Sequence, residues 1–290
     1  MVSARNPSAR NPLCEKQNSQ FDAAEEQRKP HKNSVKKPST KTGAKQIILC
    51  TKTDMQYKST IEEIRNRFDN DVARFSNLDT GQVSTIDASV SLELITEAAK
   101  RIVPAASTLL DVGCGAGNYT LKMLQKLPGL HCTLVDLSKP MLDKAVERVS
   151  TNTNGTVTTM QGDIRSLDLP ENHFDIILAG AVLHHLREDA DWETTFTKLY
   201  RLLKPGGCLM ISDLVIQESA AMTAYTWERY GDYLESVKDK TYRQQVMDYI
   251  AKEDSPRSVT YQTELMKKIG FRSTELLHKN MCFAAFGGIK

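Results

Sequence analysis

The chain has 290 residues, 40% of them hydrophobic and 26% charged, with a formal net charge of +2. That is enough apolar material for one packed domain, and no stretch approaches the roughly 18 consecutive apolar residues of a membrane helix. The expectation is therefore a soluble, cytoplasmic protein with no membrane partner. The six cysteines (Cys14, Cys50, Cys114, Cys132, Cys208, Cys282) form no C-x-x-C pair and four lie in or beside apolar runs, which excludes a zinc ribbon and points to buried thiols in a reducing compartment.

Residues 1–54 are rich in Ser, Asn, Lys, Pro and Gln and open with SARNP twice, at Ser3 to Pro7 and Ser8 to Pro12. A segment so poor in apolar side chains cannot offset its ordering entropy, so a disordered basic tail is expected. It carries 11 Lys and Arg against 5 Asp and Glu, leaving 27 basic and 31 acidic residues for the rest. A mildly acidic body gives no strong nucleic-acid signal. Two other readings of the tail stay open: a targeting or nucleic-acid patch from Lys29 to Lys45, and a native start at Met55.

The domain is expected to occupy residues 55–290. Ile61, Ile64, Phe68, Val72 and Phe75 recur at spacings of three and four, predicting one amphipathic helix. Asp87 is placed to cap a second helix that runs to Arg101 and ends before Pro104. Apolar runs at Thr108 to Val112, His131 to Val135, Gly155 to Met160, Phe174 to Ala179 and Cys208 to Ser212 predict buried strands. Helical patterns separate them at Tyr119 to Lys126, Pro140 to Val149 and Trp192 to Leu203. Alternation of this kind implies right-handed crossovers and a parallel, doubly wound α/β sheet. Ser273 to His278 and Met281 to Phe286, joined by Lys279-Asn280, predict a closing antiparallel hairpin.

A ligand site is written along the strand ends. In LLDVGCGAGNYT a strand runs into Gly113, Gly115 and Gly117 and then a helix, a turn where a ligand can approach bare main chain. A dinucleotide fingerprint would put its third glycine where Asn118 stands, which disfavours NAD. Asp111 can meet a ligand ammonium or organise the loop amides. Asp136, about 20 residues on, can accept both hydroxyls of a ribose or simply cap the next helix, where Ser138 already serves as a cap. Asp163 can accept from an adenine amino group while Ile164 covers the ring. Ala179 and Gly180 end the fourth strand beside the crevice.

With DVGCGAG, VDLS, GDI, FDIILAGAVLHHL and LLKPGG in this order, the chain resembles the class I S-adenosylmethionine-dependent methyltransferases. The resemblance implies a Rossmann-like sheet with S-adenosyl-L-methionine as cofactor. It also implies that Gly113, Cys114, Gly115 and Gly117 line the methionine part, Asp136 and Leu137 the ribose, Asp163 and Ile164 the adenine, with Ala179 at the reacting end. A weaker similarity, through FDNDVARF, EDSPRSVTYQTELMKKIGF and CFAAFG, is to carboxy-S-adenosylmethionine synthase, a family that serves tRNA wobble-uridine modification. There Ala179 stands in place of an asparagine, and Arg243 is the near match to the arginine that holds the carboxylate.

Methyl transfer from a sulfonium needs alignment more than acid–base chemistry, so the lack of an obvious catalytic pair does not count against an enzyme. N/D-P-P-Y is absent and no Pro-Cys follows the fourth strand, which disfavours methylation of nucleic-acid bases. His184 and His185 follow that strand and are candidates to reach a small-molecule acceptor. The helical stretch Ser219 to Val237 carries Met222, Tyr225, Trp227, Tyr230 and Tyr233, aromatics suited to a lid, a core or a homodimer interface. Three functions remain open: methyl transfer, carboxy-S-adenosylmethionine synthesis, and cofactor binding without catalysis.

Overall fold

The computed structural model describes residues 58–77 and 82–290. The expectations for the tail, for Met55 and for Cys14 and Cys50 lie outside the described residues.

Seven strands form one sheet: β1 (Thr108–Val112), β2 (His131–Asp136), β3 (Val157–Gln161), β4 (Phe174–Gly180), β5 (Leu203–Leu214), β6 (Ser273–Asn280) and β7 (Phe283–Ile289). Their order is β3-β2-β1-β4-β5-β7-β6, with β1 to β5 parallel and β7 antiparallel to both β5 and β6. This is the mostly parallel Rossmann-like sheet with a C-terminal antiparallel pair that the sequence predicts. The chain moves outward from β1 to β3 and then resumes at β4 on the other flank of β1. The crevice at such a reversal, above the carboxyl ends of β1 and β4, is where open α/β sheets bind ligands.

Period-two alternation explains why the central strands read as continuous apolar runs. Ile177 and Ala179 of β4, with Leu209 and Ile211 of β5, pack on α6 (Asp189–Leu202) and α9 (Val259–Ile269) through Phe196, Leu199, Leu265 and Met266. Ile176, Leu178, Cys208 and Met210 face the other way, onto α3 (Ala88–Ile102), α4 (Asn118–Leu124) and α5 (Lys139–Val149). Cys114, Cys132, Cys208 and Cys282 are free and buried. A third cluster joins Leu214 and Phe283 to Trp227, Tyr230 and Leu234 of α7 (Ala220–Val237) and Val246 and Ile250 of α8 (Lys240–Glu253).

Four local expectations are corrected. The first amphipathic helix is two, α1 (Ile61–Asp69) and α2 (Val72–Ser76), because the chain stops at Asn70, whose N–H returns to Arg67 and Phe68 carbonyls. The break brings the Phe68 and Phe75 rings to 5.5 Å. Asp87 occupies the N-cap position of α3, but its φ is 55° and its side chain makes no capping bond; its carboxylate accepts instead from His278 Nε2 at 2.9 Å and Asn280 Nδ2 at 2.8 Å. β3 begins at Val157 rather than Gly155 and is half exposed, since an edge strand has a partner on one side only. The hairpin turns at Met281-Cys282, not Lys279-Asn280: Asn280 pairs with Phe283, and a bulge between Leu276 and His278 shifts the register.

Candidate functional site

The loop after β1 is built on left-handed backbone. Gly113 has φ 65°, and a Cβ there would lie 2.5 Å from the Val182 side chain, so only glycine lets the loop pass under the segment after β4. Gly117 has φ 82° and packs on α5, where a Cβ would meet Val149 at 3.0 Å. Between them the Gly115 N–H donates to Asp136 Oδ2 at 2.8 Å, while Asp136 Oδ1 accepts from the Ser138 N–H at 2.8 Å. The Ser138 side chain caps α5 by accepting from Met141 N. Asp136 thus ties the glycine loop to the end of β2, and burial raises its pKa against the pull of these amides.

A cavity of about 460 Å³ opens over this loop, within the usual span for a small-molecule site. Of the site candidates singled out in the sequence, Gly113, Cys114, Gly115, Asp136, Leu137, Asp163, Ile164, Gly180, His184, His185 and Tyr230 line it. Asp163 and its neighbours form a charged corner in which Arg165 Nε donates to both Asp163 oxygens at 3.0 Å and Arg165 Nη1 reaches Asp191 at 2.5 Å. Burial pushes the Asp163 pKa up, but the bonds from Arg165 outweigh it and the pKa is lowered.

Five predicted site residues stand elsewhere. Asp111 is buried beneath the loop and accepts from Thr120 Oγ1 at 2.6 Å and Thr120 N at 3.2 Å. Its Oδ1 has no partner, and burial pushes its carboxyl up to about 7. Gly117 faces α5, as described. Ala179 is fully buried within β4, its methyl turned by strand alternation into the core of α6, so Gly180 and Ala181 take the place at the cavity wall. Tyr225 is 54% exposed because the buried stripe of α7 runs through Thr226, Trp227, Tyr230 and Leu234; Met222 is likewise exposed. Arg243 pairs with Asp232 at 3.1 Å and Glu235 at 3.5 Å on the outer side of α7 and does not line the cavity.

Other residues fill those roles. Asn118, where a dinucleotide loop would have glycine, donates to the Phe75 carbonyl at 2.9 Å and accepts from Arg148 at 2.9 Å, fastening α2 over the loop. Tyr230, Tyr249, Ile250 and Phe283 wall the far end, and the Tyr230 hydroxyl donates to the Ser84 carbonyl at 2.8 Å. Arg67 lies 4.2 Å over the Phe68 ring, its guanidinium bonded to Glu253 from Nε at 2.9 and 3.0 Å. His184 sits on the 3₁₀ turn Leu183–His185, its Nδ1 bonded to the Asp213 carboxylate. Asp213 also accepts from the N–H groups of Leu183 at 2.8 Å and Leu214 at 2.7 Å. Burial would lower the His184 pKa, but Asp213 and Asp254 outweigh it and raise it to about 9. Asp213 was legible by the rule that found Asp136, a carboxylate at a strand end; Arg67 and Asp254 carry no local signal.

The residues fit S-adenosylmethionine on two structural observations. Above Gly115 nothing stands within 4 Å of where a Cβ would be, leaving bare main chain beside a carboxylate. Asp136, Leu137, Asp163 and Ile164 line the same cavity as the glycine loop.

The sheet order and the glycine-loop cleft define the class I methyltransferase fold. Residues 109–207, from β1 into β5, match the family model described as a methyltransferase domain. Malonyl-[acyl-carrier protein] O-methyltransferase of Priestia megaterium is 29% identical over 149 residues, 51% of this chain and 50% of that protein. The chain therefore spans about half the length of that curated relative. Carboxy-S-adenosyl-L-methionine synthase of Shewanella baltica is 27% identical over 246 residues, 82% of this chain and 98% of that one. Among solved structures, human N-acetylserotonin methyltransferase in complex with SAM superposes with a TM-score of 0.53 at 16% identity, covering 82% of this chain and 60% of that one. The 1,6-didemethyltoxoflavin-N1-methyltransferase of Burkholderia thailandensis, solved with 1,6-didemethyltoxoflavin and S-adenosylhomocysteine, gives 0.53 at 17% identity over 80% and 91%. These superpositions establish the shared fold. No described helix is long and apolar enough to cross a membrane.

Proposed function

We propose that the chain is a S-adenosylmethionine-dependent methyltransferase acting on a small-molecule acceptor. The observation that carries this reading is one cavity whose wall includes both the glycine loop with Asp136 and the aromatic residues Phe68, Tyr230, Tyr249 and Phe283. When bound, the cofactor supplies an activated methyl group on sulfur, so the protein need only align the acceptor and keep water away. In this reading Asp136 accepts from the ribose hydroxyls, Ile164 covers the adenine, and the Gly113–Gly115 main chain takes the methionine portion. Gly180 and Ala181 leave room at the reacting end, and the aromatic wall excludes water from the acceptor.

Carboxy-S-adenosylmethionine synthesis is a second reading, favoured by the near full-length match to the Shewanella baltica protein. Arg243 lies outside the cavity, so a carboxylate there would have to be held by Arg67, Arg74 or Arg187, which line it. A transferred carboxylate needs such a partner, because burial without one costs several kcal/mol. The test is incubation of the purified chain with S-adenosylmethionine, first with an acceptor panel and then with prephenate, followed by mass spectrometry. Acceptor-dependent S-adenosylhomocysteine supports methyl transfer; carboxy-S-adenosylmethionine overturns it in favour of the synthase. Cofactor binding with neither product points to a binding module.

A further inference from the structure

The acceptor end of the cavity holds three side chains that alignment of a methyl group does not require. His184 and His185 lie on the 3₁₀ turn after β4, and Asp254 follows α8 directly. One ligand atom from each lies within 4.8 Å of the other two. Asp254 Oδ1 is 3.2 Å from His185 Nδ1 and 3.7 Å from His184 Nε2. Neither Asp254 Oδ1 nor His185 Nδ1 completes a hydrogen bond, although the Asp254 side chain is only 2% exposed. They face each other at 3.2 Å without the alignment of a hydrogen bond, so their loss of water is only partly offset.

The surroundings favour a cation over a water molecule as what satisfies them. The remaining ring nitrogen of His184 is bonded to Asp213, the carboxylate-to-imidazole arrangement that fixes the tautomer and direction of metal-bound histidines. Asp213 is itself held by backbone N–H groups of Leu183 and Leu214, so this support is rigid. The carboxylate of Glu253 is matched by Arg67, whereas among the described residues the ion pairs of Asp213 and Asp254 are to these histidines. A divalent ion that displaced the ring proton of His184 would keep both buried carboxylates compensated.

We propose that His184 Nε2, His185 Nδ1 and Asp254 Oδ1 bind a divalent transition-metal ion at the acceptor end of the cavity. Two imidazole nitrogens and one carboxylate oxygen select zinc, manganese, iron, cobalt or nickel over magnesium and calcium, which prefer all-oxygen shells. Bonds near 2.1 Å allow ligand atoms at most about 4.2 Å apart, a limit that both distances from Asp254 Oδ1 meet. Three protein ligands leave positions open on the cavity side, where both histidines contribute to the wall. An acceptor oxygen taken up there would be held in place and made more acidic by the ion. Binding of the ion stands on the cluster alone; its action on an acceptor rests on the methyltransferase reading.

The test uses the full chain after dialysis against a chelator, titrated with cobalt(II) and followed by visible absorption. One equivalent should produce ligand-field bands that zinc(II) then abolishes by competition. Asp254→Asn and His185→Ala should each weaken cobalt binding at least tenfold, and Asp213→Asn by tenfold or more through loss of His184 orientation. Arg243→Ala should leave it unchanged. Absence of saturable binding of cobalt(II), zinc(II) or manganese(II) by the wild-type chain overturns the proposal whether or not the variants fold. Unaltered affinity in a folded Asp254→Asn variant overturns it equally. S-adenosylmethionine binding without metal binding would sink this inference alone, and metal binding without S-adenosylmethionine binding would sink the methyltransferase reading alone.

Discussion

Replacing Asp136 by alanine removes one carboxylate with two duties, and the structure separates them. The carboxylate accepts from the Gly115 and Ser138 N–H groups, each at 2.8 Å. Hydrogen bonds to a charged group are worth about 1.5–3 kcal/mol each, so losing both would cost about 3–6 kcal/mol if nothing replaced them. Water from the adjoining cavity can re-engage part of this, and the charge itself is disfavoured by burial, which brings the expected loss of unliganded stability to roughly 2–4 kcal/mol. Asp136→Asn keeps one acceptor oxygen but sets its NH₂ against the other N–H donor, so it should lose about half as much. Affinity for S-adenosylmethionine should fall in both variants, by roughly 1–3 kcal/mol in the alanine, about five- to a hundredfold, since the ribose acceptor goes with the carboxylate. Urea denaturation of the unliganded protein measures the first quantity and titration calorimetry the second. Apo stability within about 0.5 kcal/mol of wild type would refute the anchoring of the glycine loop. Unchanged affinity would refute the ribose assignment.

Three further outcomes follow from the same geometry. Gly180→Ala would place a Cβ 2.4 Å from the Tyr119 ring, so overpacking should cost about 1–3 kcal/mol in urea denaturation and weaken cofactor binding; a wild-type midpoint would show that Tyr119 can swing aside. The Asp111 carboxyl, pushed up to about 7 by burial, prefers its proton in the folded state, so its contribution is present at low pH and lost as pH rises through about 7. Asp111→Asn should accordingly gain stability relative to wild type as the apo proteins are melted at pH rising from about 4 to about 7, with no further gain above it, and a constant difference over that window would contradict the burial argument. Arg243→Ala removes ion pairs to Asp232 and Glu235 and the packing of its guanidinium on Gly231, outside the cavity, so cofactor affinity and any prephenate-dependent product should be unchanged and stability should shift by about 1 kcal/mol; loss of product in that variant would bring Arg243 back to the site.

The sequence by itself determined the features that arise from local pattern. Apolar runs buried on both faces marked β1, β2 and β4 to within a residue or so, because a strand covered on both sides needs no polar alternation, but only the middle of β5, which begins at Leu203 and not at Cys208. Strict strand–helix alternation then implied the parallel order, and the glycines with Asp136 and Asp163 marked the carboxyl edge, where the turn itself demands those residue types. The tertiary structure decided what depends on residues distant in the chain. Whether Ala179 or Gly180 meets the cavity turns on which way one strand position points. Tyr225 fell outside because α7 turns a different stripe inward, toward Leu214 and Phe283, and Arg243 because α8 buries Val246, Ile250 and Glu253 instead. Arg67 and Glu253 meet across 186 positions of sequence, and Asp254 reaches His184 and His185 only because α8 ends above the turn after β4. Such contacts leave no period or spacing behind, since they are set by how α1, α7 and α8 pack over the sheet edge and not by the order of residues within any one of them.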